Sequence, residues 1–336
     1  MSGRGRYLLG RTLWAVVIVF VVITFNFFLF RVLPGDPAKA GSHDPRLSPE
    51  SIVALTERFG LDKPVFINLE PGANPLDSQY FTYLGALARG DLGVSYAFRD
   101  ESVASMLAEA LVNTLWLILP AQILAIVFGI ALGLIAAWRR GTSLDVLSLT
   151  FSLFMWSLPT FFLAILLLVF GANYLDLPTF GKQDTGATYT SWWEELADIL
   201  RHMAMPTLTF TLVLLGEYML IMRSSVLDVF SEDYILTAKA KGLSTYRIIR
   251  DHALRNAMLP MVALIAINLA FTVSGAIQIE EVFSWPGIGF VTVEAISERD
   301  YPVLQGAFLL IAVAVVIANL VADMVYGWLD PRVTSA

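Results

Sequence analysis

Cysteine is absent from this chain of 336 residues, which excludes disulfides, thiolate metal sites and cysteine nucleophiles. Histidine is rare, and His43, His202 and His252 lie in separate predicted loops without the paired spacing of a zinc site. The sequence also contains no Gly-x-Ser-x-Gly nucleophile elbow and no Gly-Lys-Ser/Thr phosphate loop. It therefore predicts no catalytic residue, cofactor or metal site, and it assigns any nucleotide chemistry to another chain.

Charged residues are also scarce, at 15% of the chain against 57% hydrophobic residues. This composition excludes an ordinary soluble domain and indicates a protein of the lipid bilayer. A bilayer core of roughly 30 Å needs about 20 apolar helical residues to cross it. Continuous runs of that length favour membrane helices over the alternating pattern of barrel strands. Six predicted spans result: 12–30, 112–138, 146–175, 203–222, 256–279 and 303–329.

The first run begins just after Arg4, Arg6 and Arg11, a pattern that membrane anchors share with cleaved signal peptides. Its 19 uncharged residues exceed the apolar core of a signal peptide, which has about 7 to 15 residues. An uncleaved anchor is therefore favoured over a signal peptide.

The distribution of basic residues predicts the orientation. Segments 1–11, 139–145, 223–255 and 330–336 together hold 12 of the 22 Lys and Arg residues but only 6 of the 29 acidic ones. Because cytoplasmic loops are enriched in Lys and Arg, we expect these segments and both termini to be cytoplasmic. The net charge of -7 then arises from the outer face and predicts no nucleic-acid partner.

This orientation divides the chain into four parts. We predict an N-terminal anchor at 1–31, an extracytoplasmic segment at 32–111, a five-helix core at 112–330 and a tail at 331–336. Within the extracytoplasmic segment, turn and periodicity signals predict two short helices, one that begins at Pro49 and ends before Gly60 and one over 80–87. A second outer loop at 176–202 contains Trp192 and Trp193, which are typical of interfacial anchors or of a docking surface.

The 223–255 segment is basic but patterned to fold. Ser231 and Asp233 are suitable N-caps for a helix of about two turns, and Gly242 is suited to a left-handed stop. Ser244 opens a second helical pattern that runs to about Arg255, so two short helices are expected to meet at a glycine hinge. A solvated loop without a partner is the alternative. It explains the charge but not the caps, the glycine or the small residues.

Two acidic residues lie within the predicted spans. A charge in the bilayer costs at least a few kcal/mol, so Glu217 and Asp323 each indicate either a functional site or a paired structural one. Both lie near the cytoplasmic ends of their spans, close to Arg223 and Asp330 respectively. Snorkelling or local pairing is the favoured interpretation, and a role in a translocation path is the alternative.

Polar and small residues in the other spans have two interpretations. Asn268, Thr272, Ser274 and Gln278 form a polar stripe that either lines a wet path or packs against neighbouring helices. The Gly-x-x-x-Gly pair at 129 and 133 indicates close helix packing. Pro159 predicts a bend in the third span.

Short motifs along the chain resemble those of the inner-membrane permease subunits of ATP-binding-cassette importers, in the peptide and nickel branch. The 223–255 segment is similar to the coupling loop of that branch in Asp233-Tyr234, in Thr-Ala-x-Ala-Lys-Gly-Leu at 237–243 and in His252-Ala253-Leu254-Arg255-Asn256. Further motifs in the family's order are Leu33-Pro34-Gly35-Asp36-Pro37, Gly90-Asp91-Leu92-Gly93-Val94-Ser95-Tyr96, Ser157-Leu158-Pro159, Glu281-Val282-Phe283-Ser284-Trp285-Pro286-Gly287-Ile288-Gly289, Arg299-Asp300-Tyr301-Pro302-Val303 and Leu329-Asp330-Pro331-Arg332. Each motif is weak alone, but the series covers nearly the whole chain.

The resemblance implies an all-α integral membrane protein with six transmembrane helices, the type I importer permease fold and a cytoplasmic coupling helix. It also implies a location in the inner membrane and four kinds of partner, namely a related second permease, two ATP-binding subunits, an extracytoplasmic solute-binding protein and lipid. ATP hydrolysis would belong to the partners. The coupling residues that it implies are Asp233, Tyr234, Thr237, Ala238, Lys239, Ala240, Lys241, Gly242 and Leu243.

Several alternatives stay open at this point. Lys239 and Lys241 either pair with acids of an ATP-binding subunit or simply keep the loop solvated. Peptides are the expected cargo, with oligosaccharides or nickel chelates as alternatives within the branch. A stand-alone secondary transporter or channel would show two related halves and buried midplane charges, and a membrane enzyme would need converging acids, histidines or a nucleophile.

Overall fold

The structure is a computed structural model that describes residues 3–32, 62–95, 97–98 and 101–329. Side chains are described throughout these ranges except at 3–7, 31–32, 263, 270–275 and 325–329. The predicted helix that begins at Pro49 lies outside the described residues, as do the Leu33–Pro37 motif and the predicted tail at 331–336.

The described part of the chain is helical, and its β pairing is limited to a single antiparallel bridge between Val94 and Ser102. This result agrees with the predicted all-α class. The helices are α1 (Gly3–Val32), α2 (Gln79–Ala88), α3 (Val103–Trp138), α4 (Ser143–Ser157), α5 (Thr160–Tyr174), α6 (Trp192–Phe230), α7 (Asp233–Ala240), α8 (Thr245–Arg247), α9 (Leu254–Gly275), α10 (Ile277–Val282), α11 (Ile288–Glu298) and α12 (Tyr301–Leu329), with a π-helical segment at Ile248–Ala253.

Five stretches of these helices are long and apolar enough to cross a membrane, and α4 with α5 makes a sixth if the pair is one broken span. The five are Leu8–Phe30, Val103–Trp138, Trp192–Phe230, Thr245–Leu269 and Tyr301–Met324. The number and the approximate positions agree with the sequence prediction. Two of the predicted spans, however, differ in their form.

The third predicted span is divided into two helices. α4 and α5 meet at an angle of 105°. Leu158, between them, is extended with a ψ of 133°, because the ring of Pro159 disfavours helical backbone at the preceding residue. The bend predicted at Pro159 is confirmed, whereas the continuous span predicted at 146–175 is not observed.

The fifth predicted span, 256–279, differs at both ends. It begins earlier, because α8, the π-helical segment and α9 follow one another without a break from Thr245. It also ends earlier, because α9 stops at Gly275 and α10 is a separate helix of 6 residues. The second short cytoplasmic helix predicted to end near Arg255 is therefore the first part of a long helix.

The chain consists of two compact units. The first contains Met1–Leu13, Asn113–Phe290 and Ala314–Ala336, and the second contains Trp14–Val112 and Val291–Val313. Each unit has hydrophobic clusters of its own. Phe30, Val103, Leu107, Ala295, Val303, Leu304 and Ala307 form the cluster of the second unit.

In the first unit, α3 and α6 approach closely at the Gly-x-x-x-Gly pair. A Cβ atom at Gly129 would lie 2.5 Å from the Cβ atom of Tyr218, and one at Gly133 would lie 2.7 Å from that of Met222. Carbon atoms in contact normally stay about 3.5 Å apart or more, so neither position has room for a side chain. The predicted packing role of this pair is confirmed.

In the second unit, Asp300 connects two of the sequence motifs. One of its carboxylate oxygens accepts hydrogen bonds from the Ser95 hydroxyl and from the main-chain N–H of Ala97, the latter at 3.0 Å. The other accepts from the N–H of Val303 at 3.3 Å, in the first turn of α12. A carboxylate at this place stabilises the helix start, because it satisfies an N–H group that has no partner within the helix.

Candidate functional site

The predicted coupling segment forms α7 followed by a glycine stop. Gly242 has a φ of +76° and donates from its N–H to the carbonyl of Lys239 at 2.9 Å. The N–H of Leu243 donates to the carbonyl of Ala238 at 3.3 Å. These two bonds are the Schellman pattern, in which a left-handed residue closes the helix. The predicted stop at Gly242 is confirmed, and the chain turns sharply at this glycine.

The start of α7 differs from the prediction. Glu232 occupies the N-cap position, without a side-chain hydrogen bond to the helix. The hydroxyl of Ser231 donates instead to the carbonyl of Asp228 at 2.6 Å, where it closes α6. Asp233 lies in the first turn of α7, where a negative charge favours the helix dipole. The prediction of Ser231 and Asp233 as N-caps is therefore wrong.

One side of α7 is fixed to the segment that follows it. Ile235 and Ala238 are buried in a cluster with Ile248 and Ala253, both of which lie in the π-helical segment. Val229, Phe230 and Leu243 pack against this cluster. Among the small residues of the segment, Ala238 therefore faces inward. Only Thr237 and Ala240 remain on the exposed side.

The opposite side of α7 is open to solvent. Leu236 is 55% exposed and Tyr234 is 39% exposed, although both are large and partly or wholly apolar. The Lys239 ammonium lies 5.7 Å from the ring centroid of Phe230, within the range of a cation–π interaction. The exposed coupling residues are Asp233, Tyr234, Thr237, Lys239, Ala240, Lys241 and Gly242, and Leu243 is half-buried. A helix with a fixed inner side and an exposed, partly apolar outer side is suited to contact another protein.

A polar cavity of about 460 Å³ adjoins α7. The Asn256 side-chain amide donates to the Tyr234 hydroxyl at 2.7 Å and joins α7 to α9 on one side of this cavity. The lining residues are Tyr234, Asp251, His252, Arg255, Asn256 and Leu259. The motif at 252–256 resembles part of the coupling loop of the importer permeases. It therefore lies beside α7, which resembles the other part of that loop.

A bidentate ion pair anchors the helix that leads into the coupling segment. The guanidinium of Arg223, on α6, donates to both carboxylate oxygens of Asp145, at 2.6 and 3.0 Å. The N–H of Gly141 also donates to Asp145 at 2.9 Å. Fork-to-fork pairs of this kind fix geometry as well as charge. Sequence patterns do not predict this pair, because its members lie 78 residues apart in the chain.

The intramembrane acids have partners that the sequence did not predict. The Asn268 amide donates to the Glu217 carboxylate at 2.9 Å, whereas Arg223 is bonded to Asp145. The prediction that Glu217 pairs locally with Arg223 is therefore wrong. Asp323 lies 3.2 Å from the guanidinium of Arg11 on α1. It is therefore paired with a residue of another helix and not with a residue near the C-terminal end of α12.

The predicted polar stripe is only partly described. Asn268 lies beside Glu217, and next to it Tyr218 is bonded to the Gln122 amide of α3. The side chains of Thr272 and Ser274 lie outside the described residues. Gln278 is exposed, and it belongs to α10 rather than to the same helix as Asn268. A continuous stripe on one helix is therefore not formed, and Asn268 instead joins a polar cluster between helices.

A buried carboxylate that the sequence analysis missed organises the corner between α10 and α11. Glu280 has no exposed surface. It accepts hydrogen bonds from the Thr114 hydroxyl at 2.7 Å and from the N–H groups of Gly289 and Phe290 at 2.7 and 3.2 Å. A Cβ atom at Gly287 would overlap this carboxylate. The sequence signal for this contact was an acid a few residues before the Pro-Gly-x-Gly motif at a helix start. The N-terminus of a helix stabilises a negative charge, so such an acid can bind there.

The same corner contains the most buried tryptophan of the chain's described part. Trp285 has no exposed surface, and its indole N–H donates to the main-chain carbonyl of Asn113 at 2.9 Å. The Asn113 amide in turn donates to the carbonyl of Pro286 at 2.9 Å and accepts from Lys182 at 2.8 Å. The Glu281–Gly289 motif is therefore an internal junction with satisfied polar groups, not a surface loop.

Comparison with known proteins identifies the family of this chain. Residues 129–335 match the binding-protein-dependent transport system inner membrane component, and residues 5–118 match the N-terminal part of such components. The chain belongs to this family. It is a permease subunit of an ATP-binding-cassette importer and a multi-pass protein of the inner membrane. Such subunits are not catalytic and work with an ATPase and a binding protein.

Relatives match the chain along nearly all of its length. The di/tripeptide transport system permease protein of Pseudomonas aeruginosa is 35% identical, over 94% of both chains. The glutathione transport system permease protein of Escherichia coli K12 is 34% identical, over 97% of this chain and 98% of the relative. A Brucella suis protein provisionally named a peptide permease is 36% identical over 98% of both chains. The resemblance to the peptide branch is confirmed.

Proposed function

We propose that this subunit forms half of an alternating-access pathway for short peptides, and that the exposed side of α7 is its contact with an ATP-binding subunit. The remaining partners are a second, related permease, another ATP-binding subunit and an extracytoplasmic solute-binding protein. The names of the relatives support peptides as cargo, because they include a di/tripeptide and a glutathione permease. A single observation supports the coupling assignment. Leu236 and Tyr234 are exposed on one side of α7, whereas the other side of this helix is packed against the rest of the subunit.

The packing of α7 supports a route by which a displacement of this helix moves α9. Its buried residue Ile235 packs against Ile248 and Ala253 of the π-helical segment, which continues directly into α9. Because packed interiors transmit displacement, a force on α7 reaches α9 without passing through a flexible linker. The Arg223–Asp145 pair holds α6 to α4 near the same place. Closure of the ATP sites would therefore move α9 together with α7.

The polar cluster between α6 and α9 is our candidate for part of the pathway. Glu217 and Asn268 are half-buried and bonded to each other, one from each helix. A change in the position of α9 would alter this contact, so the pair connects the coupling segment with the membrane interior. Thr272, Ser274 and Gln278 remain predicted pathway residues. The charge pattern supports cytoplasmic termini and a cytoplasmic α7.

Reconstitution of the whole importer tests this function. The chain, its companion permease and the ATP-binding subunits are coexpressed, purified together and placed in proteoliposomes with the binding protein. We expect ATP hydrolysis to rise, and labelled dipeptide or glutathione to enter, only when the loaded binding protein is present. Retention of an oligosaccharide or a nickel chelate by the binding protein would assign that cargo instead. Uptake by the chain alone would refute the importer role and indicate a self-sufficient transporter.

A further inference from the structure

Two adjacent tryptophans at the N-terminal end of α6 are exposed, although tryptophan is highly buried on average in folded proteins. Trp192 is 61% exposed and Trp193 is 63% exposed. Their rings stack, with centroids 3.5 Å apart and an interplanar angle of 27°. Such a pair is typical either of an anchor among the lipid headgroups or of a docking surface. The position of the pair along α6 distinguishes these two roles.

The length of α6 places the pair beyond the bilayer surface. α6 has 39 residues, roughly 58 Å at 1.5 Å per residue, which is about twice the thickness of a hydrocarbon core. Arg223, at the predicted cytoplasmic end of the span, is bonded to Asp145, and Trp193 lies 30 residues before it. At the average tilt of about 20°, these residues rise roughly 42 Å, whereas the core plus one headgroup layer measures about 35–38 Å. A headgroup anchor is therefore disfavoured, and a docking surface is favoured.

Hydrogen bonds hold the chain around the pair in one conformation. The Ser191 hydroxyl accepts from the N–H of Glu194 at 3.4 Å and caps α6. The Glu194 carboxylate accepts in return from the N–H and the hydroxyl of Thr190, at 2.9 and 2.8 Å. The Gln183 amide of the preceding loop donates to Glu195 at 3.0 Å. A rigid aromatic surface loses little conformational entropy on binding, which suits it to anchor an interface.

The loop that leads to the pair is also bonded to the buried corner between α10 and α11. The N–H of Gly181 donates to the carbonyl of Phe283 at 2.9 Å. The Lys182 ammonium donates to the side-chain oxygen of Asn113 at 2.8 Å, and the main-chain carbonyl of Asn113 accepts from the Trp285 indole. Because packed contacts transmit displacement, a partner that binds at the start of α6 is connected with this corner.

We propose that Trp192 and Trp193 contact the extracytoplasmic solute-binding protein, and that they fit an apolar patch with basic residues at its rim. This inference rests on the proposed importer function, which supplies a partner on the outer side. Lys182 and Arg201 are bonded within the subunit. The charges left exposed around the pair are those of Asp184, Glu194 and Glu195. An acidic rim of this kind favours a basic partner surface and speeds its association.

Titration of the importer with its binding protein tests the contact. The whole complex, in nanodiscs, is mixed with increasing concentrations of binding protein loaded with a dipeptide, and ATP hydrolysis is measured. Trp192→Ser with Trp193→Ser should raise the concentration for half-maximal stimulation at least about tenfold, because aromatic anchors carry much of the binding energy of an interface. Hydrolysis without binding protein should not change. Trp192→Phe with Trp193→Phe retains aromatic surface and should recover most of the loss.

Salt tests the acidic rim separately. Because salt screens exposed charges, the half-maximal concentration of the parent should rise with ionic strength. A value independent of salt would contradict the basic rim of the partner.

Trp138→Ala is the matched control, because Trp138 is 48% exposed at the predicted cytoplasmic end of α3. It should leave the half-maximal concentration unchanged. A photo-cross-linking residue at position 193 should label the binding protein. An unchanged half-maximal concentration in the double serine variant, or labelling of lipid or the companion permease alone, would overturn the contact. Failure of loaded binding protein to stimulate the parent would instead refute the importer function itself.

Discussion

The coupling segment at 233–243 and the corner at 277–290 both carry motifs of the family, yet they use them in opposite ways. The coupling segment presents most of its side chains to solvent, including Leu236 at 55% exposure. The corner buries its central side chains, and neither Glu280 nor Trp285 has any exposed surface. A motif on an exposed helix is suited to a partner, whereas a motif with satisfied buried polar groups fixes internal geometry. Similar sequence signals therefore serve two physical purposes, and burial distinguishes them.

The largest expected effect is at the corner. Glu280→Ala leaves the Thr114 hydroxyl and the N–H groups of Gly289 and Phe290 without their acceptor. Each unsatisfied buried donor costs about 1–3 kcal/mol, so the free energy of unfolding should fall by at least about 3 kcal/mol. Thermal unfolding of the full chain in detergent measures this loss. Glu281→Ala, at an exposed neighbouring acid, should change stability by less than about 0.5 kcal/mol. Equal stability of the two variants would contradict a structural role of Glu280.

Adjacent residues of α7 separate its fixed side from its contact side. Ile235 has no exposed surface, and Ile235→Ala should cost about 2–5 kcal/mol of stability, because it leaves a cavity beneath the helix. Leu236→Ala should leave the stability of the subunit nearly unchanged but reduce the ATP-binding subunits that copurify with it. Unfolding curves and subunit ratios measure the two quantities. If Leu236→Ala left the subunit ratio unchanged, the contact would have to lie elsewhere.

Substitution at the turn after α7 should cost less stability than substitution of Glu280 or Ile235. Gly242 has a φ of +76° and open space around the position of a Cβ atom, so a side chain there meets strain but no clash. Gly242→Leu should cost about 1 kcal/mol, leave the complex assembled and uncouple ATP hydrolysis from the loaded binding protein. Gly242→Asn is the control, because Asn tolerates the left-handed conformation and should retain more coupling. Normal stimulated hydrolysis in Gly242→Leu would exclude a mechanical role of the turn.

Features of the helices that depend on one or a few neighbouring residues were predicted correctly from local patterns. The stop at Gly242, the bend at Pro159 and the close packing at Gly129 follow from backbone rules that act on a few residues. α2 also begins one residue from the predicted start, at Gln79, after Ser78 as its cap. Such features depend little on distant parts of the chain, so they can be predicted from the local sequence.

The pairing of polar groups could not be predicted in the same way. Arg223 is close to Glu217 in sequence but is bonded to Asp145, which lies 78 residues away. Asp323 is likewise paired with Arg11 near the other end of the chain. A charge in an apolar environment binds whichever partner the packed helices bring near, and sequence distance does not determine that choice. The N-cap of α7 was also mispredicted, because Ser231 closes the preceding helix.

By itself, the sequence determined that this is a helical membrane protein with a folded polar segment between its fourth and fifth spans, because apolar runs, turns and caps are local properties. Its motifs also indicated the importer family. Only the tertiary structure decided which residues of that segment face outward, that Glu280 holds a buried corner, and that Trp192 and Trp193 are left exposed. The contact of Glu280 with Thr114 joins residues 166 positions apart, and all three features depend on how folded segments pack against each other, since burial and polar contacts are properties of the folded whole.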